Sequence, residues 1–396
     1  MITTLAFANY RSLRRLVLPL SELTVIAGAN GAGKSNVYRG LRLLAAAAAG
    51  GHQNGMIAAL AREGGLQSAL WAGPERGSID SVARGLPVQG TVRTERVRLK
   101  LGFSTESPED GFGYALELGL PVPGNAGPSA FALDPEIKTE SLFAGEPLRP
   151  ANTLIQRTGA VVKYRVTGRR WDVLAKHVPG YDSVFDSAVD PAKAPEIAQL
   201  RQGLRNWRFY DHLRTDQDAP ARRTQVGTRT PVLADGGDDL AAALQTVVEI
   251  GDADRLADAI DDAFPGASLR IDVNRGQFTL TLQRAGLLRP LAAPELSDGT
   301  LRYLMLLAAL LSPRPPGLLV LNEPETSLHP DLTEPLARLI AGCATQVIVV
   351  THASALVRAL ERDSACSVLT LENRQGETGV AGLRELDEPA WRWGTD

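Results

Sequence analysis

The chain has 396 residues, a length that buries a sizeable core without disulfide staples and leaves room for more than one lobe. Its 42 Lys and Arg nearly balance 45 Asp and Glu, for a formal charge of -3, and 44% of its residues are hydrophobic, which excludes both disorder and a wholly basic nucleic-acid coat. The two cysteines, Cys343 and Cys366, cannot build a CxxC pair or a disulfide framework, and no apolar stretch approaches the ~20 residues of a membrane span, so a soluble cytoplasmic protein without a membrane partner is expected.

The opening segment reads as strand (3–7), strand (23–28), glycine loop and helix (35–49), because two short apolar runs precede a stretch rich in helix formers. From about residue 91 to 166 the pattern changes to short alternating runs, VRLKLGF, YALELGL, TLIQR and VVKYRV, separated by Gly and Pro clusters such as PVPGNAGP, which predicts an antiparallel sheet. Residues 180–263 are mostly helical in pattern, with amphipathic helices predicted over 195–210 and 238–250 around the Arg-rich loop DQDAPARRTQVGTRTP. Two strands follow at 268–273 and 277–283. The chain then alternates helix 300–311, strand 318–322, helix 332–341, strand 346–351 and helix 353–361, the signature of a parallel sheet with ligands at the carboxyl ends of its strands. No internal repeat or sustained heptad pattern is present.

Gly28-Ala29-Asn30-Gly31-Ala32-Gly33-Lys34-Ser35 matches G-x-x-x-x-G-K-[ST] at every fixed position, after an apolar strand and before a helix. Glycines let the backbone curl so that successive amides point at phosphate oxygens, and the following helix adds its positive end. Lys34 is expected to bridge the β and γ phosphates of ATP, and Ser35 to place its hydroxyl on Mg²⁺. This loop alone leaves kinases, GTPases, transport ATPases and DNA-linked ATPases open.

Residues 317–324, GLLVLNEP, form an apolar strand ending in Asn322 and Glu323, where a Walker B motif delivers its metal and water-handling groups. Glu323 is the candidate general base for the attacking water. Asn322 departs from the usual Asp: an amide oxygen accepts hydrogen bonds but carries no charge, which predicts weak Mg²⁺ binding and slow turnover unless Glu325 or a partner subunit supplies the charge. VIVVTH ends a second strand at His352, a candidate donor to the γ phosphate. In ELSDGT, Ser297 or Asp298 can cap the apolar helix that follows, and the Ser297 hydroxyl, the Gly299 amide and the helix dipole form an anion site.

The order GANGAGKS, ELSDGT, LLVLNEPETSLHP and VIVVTH, with FANYRSLRRL at the start, resembles the ABC-type ATPase heads of the RecF, SMC and OLD group, especially compact AAA family ATPases. The resemblance is specific over the first ~50 residues and residues ~290–360. It implies an α/β fold: a P-loop NTPase head with a mixed sheet, an antiparallel β subdomain and a helical lobe carrying the signature motif. The corresponding domains are 1–170 and 313–396, the two parts of a nucleotide-binding lobe, and 171–312, the helical signature lobe. It also implies two heads sandwiching two ATP molecules, each phosphate loop facing the partner copy's Ser297, with Ser327-Leu328-His329-Pro330 as the D-loop and Arg11 reaching the nucleotide. The residues so assigned are Glu323, His352 and Lys34 for catalysis, Arg11, Asn30, Gly31, Gly33, Lys34, Ser35, Asn36, Ser297 and Gly299 for nucleotide, and Ser35 and Asn322 for Mg²⁺. The Q-loop residue stays open between Gln53 and Gln67.

The long interval between Lys34 and Ser297 argues against a compact transporter ATPase, and the short stretch after His352 leads us to expect no appended nuclease domain. Two functions remain: an ATP-driven homodimer acting in DNA repair, DNA maintenance or phage defence, and a slow ATP-gated switch recruiting a separate effector protein. DNA is the candidate partner of the first, through the basic segments 93–100, 165–170 and 222–229. A small-molecule kinase leaves Ser297 and His352 without a role.

Overall fold

In the computed structural model, which describes residues 1–50, 54–73, 97–106, 111–121, 129–167, 170–384 and 386–394, the chain opens with strands β1 (Ile2–Tyr10), β2 (Leu13–Pro19) and β3 (Leu23–Gly28) and helix α1 (Lys34–Ala49). Short helices α2 (Met56–Arg62) and α3 (Gly65–Ala69) precede six strands: β4 (Leu99–Thr105), β5 (Phe112–Gly119), β6 (Glu136–Ala144), β7 (Thr153–Thr158), β8 (Val161–Thr167) and β9 (Arg170–Ala175). Helices α4 (Val184–Ser187) and α5 (Pro195–Arg205) lead to β10 (Trp207–Tyr210), β11 (Gln225–Val226), α6 (Leu240–Ile250), α7 (Ala253–Ala263), β12 (Ser268–Asn274), β13 (Gln277–Gln283) and β14 (Leu291–Ala292). The remainder runs α8 (Asp298–Leu310), β15 (Leu318–Asn322), α9 (Thr333–Ala341), β16 (Val347–Val350), α10 (Ser354–Leu360), β17 (Cys366–Arg374) and β18 (Glu377–Val380). No helix among the described residues is long and apolar enough to cross a membrane.

The chain divides into two units. The first comprises Met1–Ser21, Gly28–Asn206 and Thr370–Asp396. Its sheet has eight antiparallel strands in the order β2-β1-β4-β5-β6-β7-β8-β9. Helix α1 buries Val37, Tyr38, Leu41 and Leu44, residues spaced to share one helical face. Gly40 lets that face approach β1, since a Cβ there would sit 2.3 Å from the Phe7 ring. The sequence pattern identifies β4, β5, β7 and β8 within this sheet; it misses β2, β6 and β9, whose charged and threonine residues break the alternation. The segments 91–96 and 122–128 lie outside the described residues.

The second unit comprises Glu22–Ala27 and Trp207–Leu369. Four of its strands pair in parallel in the order β10-β15-β16-β3. A small antiparallel sheet places β13 between β11 and β12, with β14 also on β13. Helix α8 is buried on every side, from Thr300 to Leu310, and shares one hydrophobic core with Leu240, Leu244, Leu319, Leu321, Val349 and Leu356.

One expected helix is shorter than its pattern. Residues 195–210 were expected to form a single helix, but α5 ends at Arg205 and Trp207–Tyr210 is the strand β10, in parallel register with β15. Its Trp, Phe and Tyr favour a pleated surface, and a four-residue aromatic run carries too little periodicity to be separated from a helix end until its distant partner strand is known.

Candidate functional site

The glycine loop belongs to the first unit. Gly28, Gly31 and Gly33 take φ values of 146°, 80° and 106°, and α1 begins immediately after Gly33. At Gly33 the requirement is steric as well as conformational, because a Cβ would lie 2.0 Å from Thr378 Oγ1. The Thr378 hydroxyl donates to Ala32 O (3.0 Å) and Asn373 Nδ2 donates to Gly31 O (3.2 Å), so the hairpin β17–β18 anchors the loop's carbonyls. Among the described residues the backbone amides of Asn30, Gly31, Gly33 and Ser35 donate to no protein acceptor. Those amides are the donors an anion needs.

Lys34 is buried, and its Nζ donates to Gly28 O (2.7 Å) and Ala29 O (2.9 Å), folding the ammonium over the loop on oxygens that phosphate oxygens can replace. Ser35 is exposed, with its hydroxyl at the first turn of α1. Asn36 Nδ2 donates to Ser12 Oγ (2.8 Å), which in turn is 2.7 Å from Thr378 Oγ1, so Asn36 braces the loop from the side. Arg11, at φ 50°, forks onto Glu63 Oε2 through Nη2 (2.8 Å) and Nε (3.2 Å), an oxygen that also accepts from Tyr10 OH (2.8 Å). Of the two Q-loop candidates, Gln67 is an exposed residue of α3 and Gln53 lies outside the described residues.

The acid, the histidine and the signature turn belong to the second unit. Glu323, one residue past β15, sits at φ 46°, a left-handed conformation that a non-glycine residue holds only when its surroundings impose it. Here they do so from both sides. Its amide donates to Val350 O (2.8 Å), and its carbonyl accepts from Arg302 Nη2 (3.1 Å). The strain turns the side chain toward the end of β16, where Glu323 Oε1 lies 3.0 Å from His352 Nδ1. The Thr351 hydroxyl donates to Glu325 Oε1, while the second Glu325 oxygen is buried and has no hydrogen-bond partner among the described residues. Asn322 donates its Nδ2 to Asp211 Oδ1 at 3.2 Å.

Ser297 caps α8: its Oγ accepts from Thr300 N (3.2 Å) and lies 2.9 Å from Thr300 Oγ1, so the capping role read from the sequence is present in the fold. The side chain is also exposed. A Cβ on Gly299 would come 2.6 Å from Ser327 O, so glycine is what lets the signature turn lie against the segment beginning at Ser327.

Four residues have positions that the motifs do not reveal. Arg302 is the one charge in the apolar run of α8, a signal that it must have buried partners. Desolvation pulls its pKa down, opposed by the charges of Glu325, Asp211 and Glu323. Arg222 was grouped with a basic nucleic-acid face; it is instead buried, donating to Leu296 O (2.7 Å), Ala293 O (3.2 Å) and Asp298 Oδ1 (2.6 Å), and so clamps the signature turn. Asp211 directly follows β10, at the end of the helix that the sequence pattern predicts over 195–210. Thr378 sits on a hairpin far along the chain from the loop it supports. The basic segment at 93–100 is likewise tied down where it is described, because Arg98 and Lys100 converge on the buried Glu117.

Mg²⁺ takes oxygen donors and keeps several waters, so it needs few protein ligands. Within the second unit the Asn322 amide oxygen and the Asp211 and Glu323 carboxylates are donors of that class, and in the first unit the Ser35 hydroxyl is another. Among the described residues no group of three or more His, Cys, Asp or Glu is gathered as an all-protein metal cage.

Low-identity likenesses to solved structures accompany this geometry. An SMC head bound to the C-winged helix domain of ScpA is 14% identical, with 97% of this chain and 98% of that one covered at a TM-score of 0.49. The SMC head domain from Thermotoga maritima is 15% identical, with 97% and 99% covered and a TM-score of 0.48. An Smc head domain with an extended coiled coil, bound to the C-terminal domain of ScpA derived from Pyrococcus furiosus, is 12% identical, with 96% of each covered and a TM-score of 0.48. Among curated proteins none matches the sequence. A family described as "AAA domain, putative AbiEii toxin, Type IV TA system" matches residues 23–115 and 182–358, segments that contain the glycine loop, the signature turn, Glu323 and His352. The chain therefore belongs to this AAA-domain family.

Proposed function

We propose that this protein is an ATPase that binds ATP with Mg²⁺, closes as a homodimer around the nucleotide and hydrolyses it slowly, in DNA repair or maintenance or in defence against phage. The observation that carries the reading is the contact between strand ends: Glu323 Oε1 lies 3.0 Å from His352 Nδ1, with the glutamate held at positive φ. A carboxylate fixed by a strained backbone and oriented by an imidazole is suited to accept a proton from water, and neither a structural ion pair nor a simple cap requires that strain.

ATP brings a terminal phosphoryl group for transfer to water, and Mg²⁺ neutralises its charge. The loop amides of Asn30, Gly31 and Gly33 bind phosphate oxygens, and Lys34 exchanges its carbonyl partners for the β and γ phosphates. Ser35 and Asn322 offer the metal a hydroxyl and an amide oxygen. His352 holds Glu323 and passes the loss of the γ phosphate to the fold. Asn36 and Arg11 border the nucleotide, and Ser297 and Gly299 of one copy grip the phosphate bound by the other. In this reading 1–170 with 313–396 act as the nucleotide lobe and 171–312 as the signature lobe, and the protein works in the cytoplasm with DNA or an effector protein as its partner.

A second reading follows from Asn322: without a charge at that position the protein is an ATP-gated switch that dimerises, recruits an effector and turns over little. Light scattering of Glu323→Gln with and without ATP and Mg²⁺ tests both, since each requires ATP-dependent association. Single-turnover hydrolysis then separates them. Measurable ATP loss abolished by Glu323→Gln favours the enzyme, negligible loss with stable dimers favours the switch, and no association in any nucleotide state refutes the composite site.

A further inference from the structure

The strand carrying Asn322 has a neighbour, β10, that belongs to none of the motifs. β10 and β15 run in parallel with Tyr210 opposite Leu321, so the next residue of each strand, Asp211 and Asn322, emerges side by side at the same sheet end. The contact is direct: Asn322 Nδ2 donates to Asp211 Oδ1 at 3.2 Å. Committing the amide nitrogen fixes which way the amide faces, so that its oxygen, the only part able to serve a cation or a metal-bound water, is turned away from Asp211.

The Asp211 side chain is 16% exposed at the sheet end, and His212 Nδ1 approaches the same oxygen at 3.3 Å. Glu325 accepts the Thr351 hydroxyl on Oε1 at the end of β16, and among the described residues no hydrogen bond joins it to Asn322. Glu323 faces His352. Asp211 is thus the carboxylate in contact with Asn322, and the two side chains together carry one negative charge and one outward acceptor oxygen, the properties of a single aspartate divided between adjacent strands.

We propose that Asp211 is a positioning residue for Mg²⁺: it locks the Asn322 amide and supplies, from β10, the negative charge that Asn322 lacks. The inference rests on the proposed ATPase reading. In it, Asp211 acts on the metal through Asn322 and through water, and partners of that kind change metal affinity by about 10- to 100-fold when removed.

The test uses the full chain, Mn²⁺ in place of Mg²⁺ and a nonhydrolysable ATP analogue, with metal affinity read by electron paramagnetic resonance and analogue binding measured separately in EDTA. Asp211→Asn is expected to weaken Mn²⁺ binding about 10- to 100-fold while leaving analogue binding in EDTA unchanged. The transposed variant, Asp211→Asn with Asn322→Asp, restores one charge and one hydrogen bond and is expected to return Mn²⁺ affinity to within about threefold of wild type. Wild-type Mn²⁺ affinity in Asp211→Asn overturns the proposal, and so does a transposed variant no better than Asp211→Asn. If Asp211→Asn does not fold, the transposed variant decides alone: near wild-type affinity supports the proposal, and a loss of tenfold or more overturns it. A wild-type protein that binds no analogue in either condition fails the ATPase reading and the proposal with it, whereas metal-dependent binding indifferent to Asp211 fails the proposal only.

Discussion

The first unit contains a buried ion pair whose removal gives a sharp stability prediction. Glu140 on β6 and Arg157 on β7 are both fully buried, with Arg157 Nη1 2.8 Å from Glu140 Oε2. Glu140 also accepts from Tyr114 OH (2.5 Å), Ser183 Oγ (2.7 Å) and Val184 N (3.0 Å). Arg157 also donates to Gly159 O (2.9 Å), Pro179 O (2.7 Å) and Asp182 O. Truncating Glu140→Ala leaves a guanidinium without its counterion and two hydroxyls without an acceptor. Breaking a buried pair by deleting one partner costs about 3–5 kcal/mol, so we expect ~4 kcal/mol for this substitution. Glu140→Gln keeps the volume and one acceptor oxygen and is expected to cost about 2–3 kcal/mol, the scale of a lost charge-assisted hydrogen bond. Replacing both partners, Glu140→Leu with Arg157→Met, removes the uncompensated charge but leaves the Tyr114 and Ser183 hydroxyls unsatisfied, so it recovers only part of the loss. A chain with two units has no single unfolding free energy, so the suitable assay is native-state hydrogen exchange of the β6 and β7 amides, which reports local opening. A loss below about 1 kcal/mol in Glu140→Ala, or a double variant as damaging as the sum of its singles, would refute this account.

Other expectations concern the second unit. Gly299→Ala drives a Cβ to 2.6 Å from Ser327 O, so ATP-dependent association is expected to vanish while circular dichroism stays native; retained association in light scattering contradicts the packing argument. Arg302→Met keeps the volume but releases the Glu323 carbonyl, and kcat is expected to fall about tenfold or more, the equivalent of ~1.4 kcal/mol, with KM nearly unchanged. An unaltered kcat would show that the strained glutamate holds itself. Burial, followed by the charges of Asp363 and Glu361, pushes the Cys366 thiol up to about 11, and burial raises Cys343 as well. Thiolate predominates only above the pKa and is scarce well below it, so in Cys343→Ser protein alkylation by iodoacetamide is expected to be slow at pH 8 and to rise toward pH 11. Fast labelling at pH 8 argues against that burial.

The phosphate loop was legible in the sequence because its chemistry is contiguous: three glycines, a lysine and a serine within eight residues, between a strand and a helix, have few alternatives. Glu323, His352 and Ser297 were legible for the same local reason, each marking the end of an apolar strand or the start of an apolar helix. What holds them there was not. Thr378 meets the glycine loop, Arg302 meets the Glu323 carbonyl, and Arg222 meets the signature turn through contacts between residues well separated along the chain. Local pattern even misleads in two places: Arg222 lies in a charged run yet is buried, and Trp207–Tyr210, which precedes Asp211, continues a helical pattern yet forms a strand. The sequence by itself determined which backbone turns can form and which chemical groups sit at their tips. Only the tertiary structure decided which groups from other strands meet them, because parallel register and close packing are fixed by the pairing of segments that local propensity treats independently.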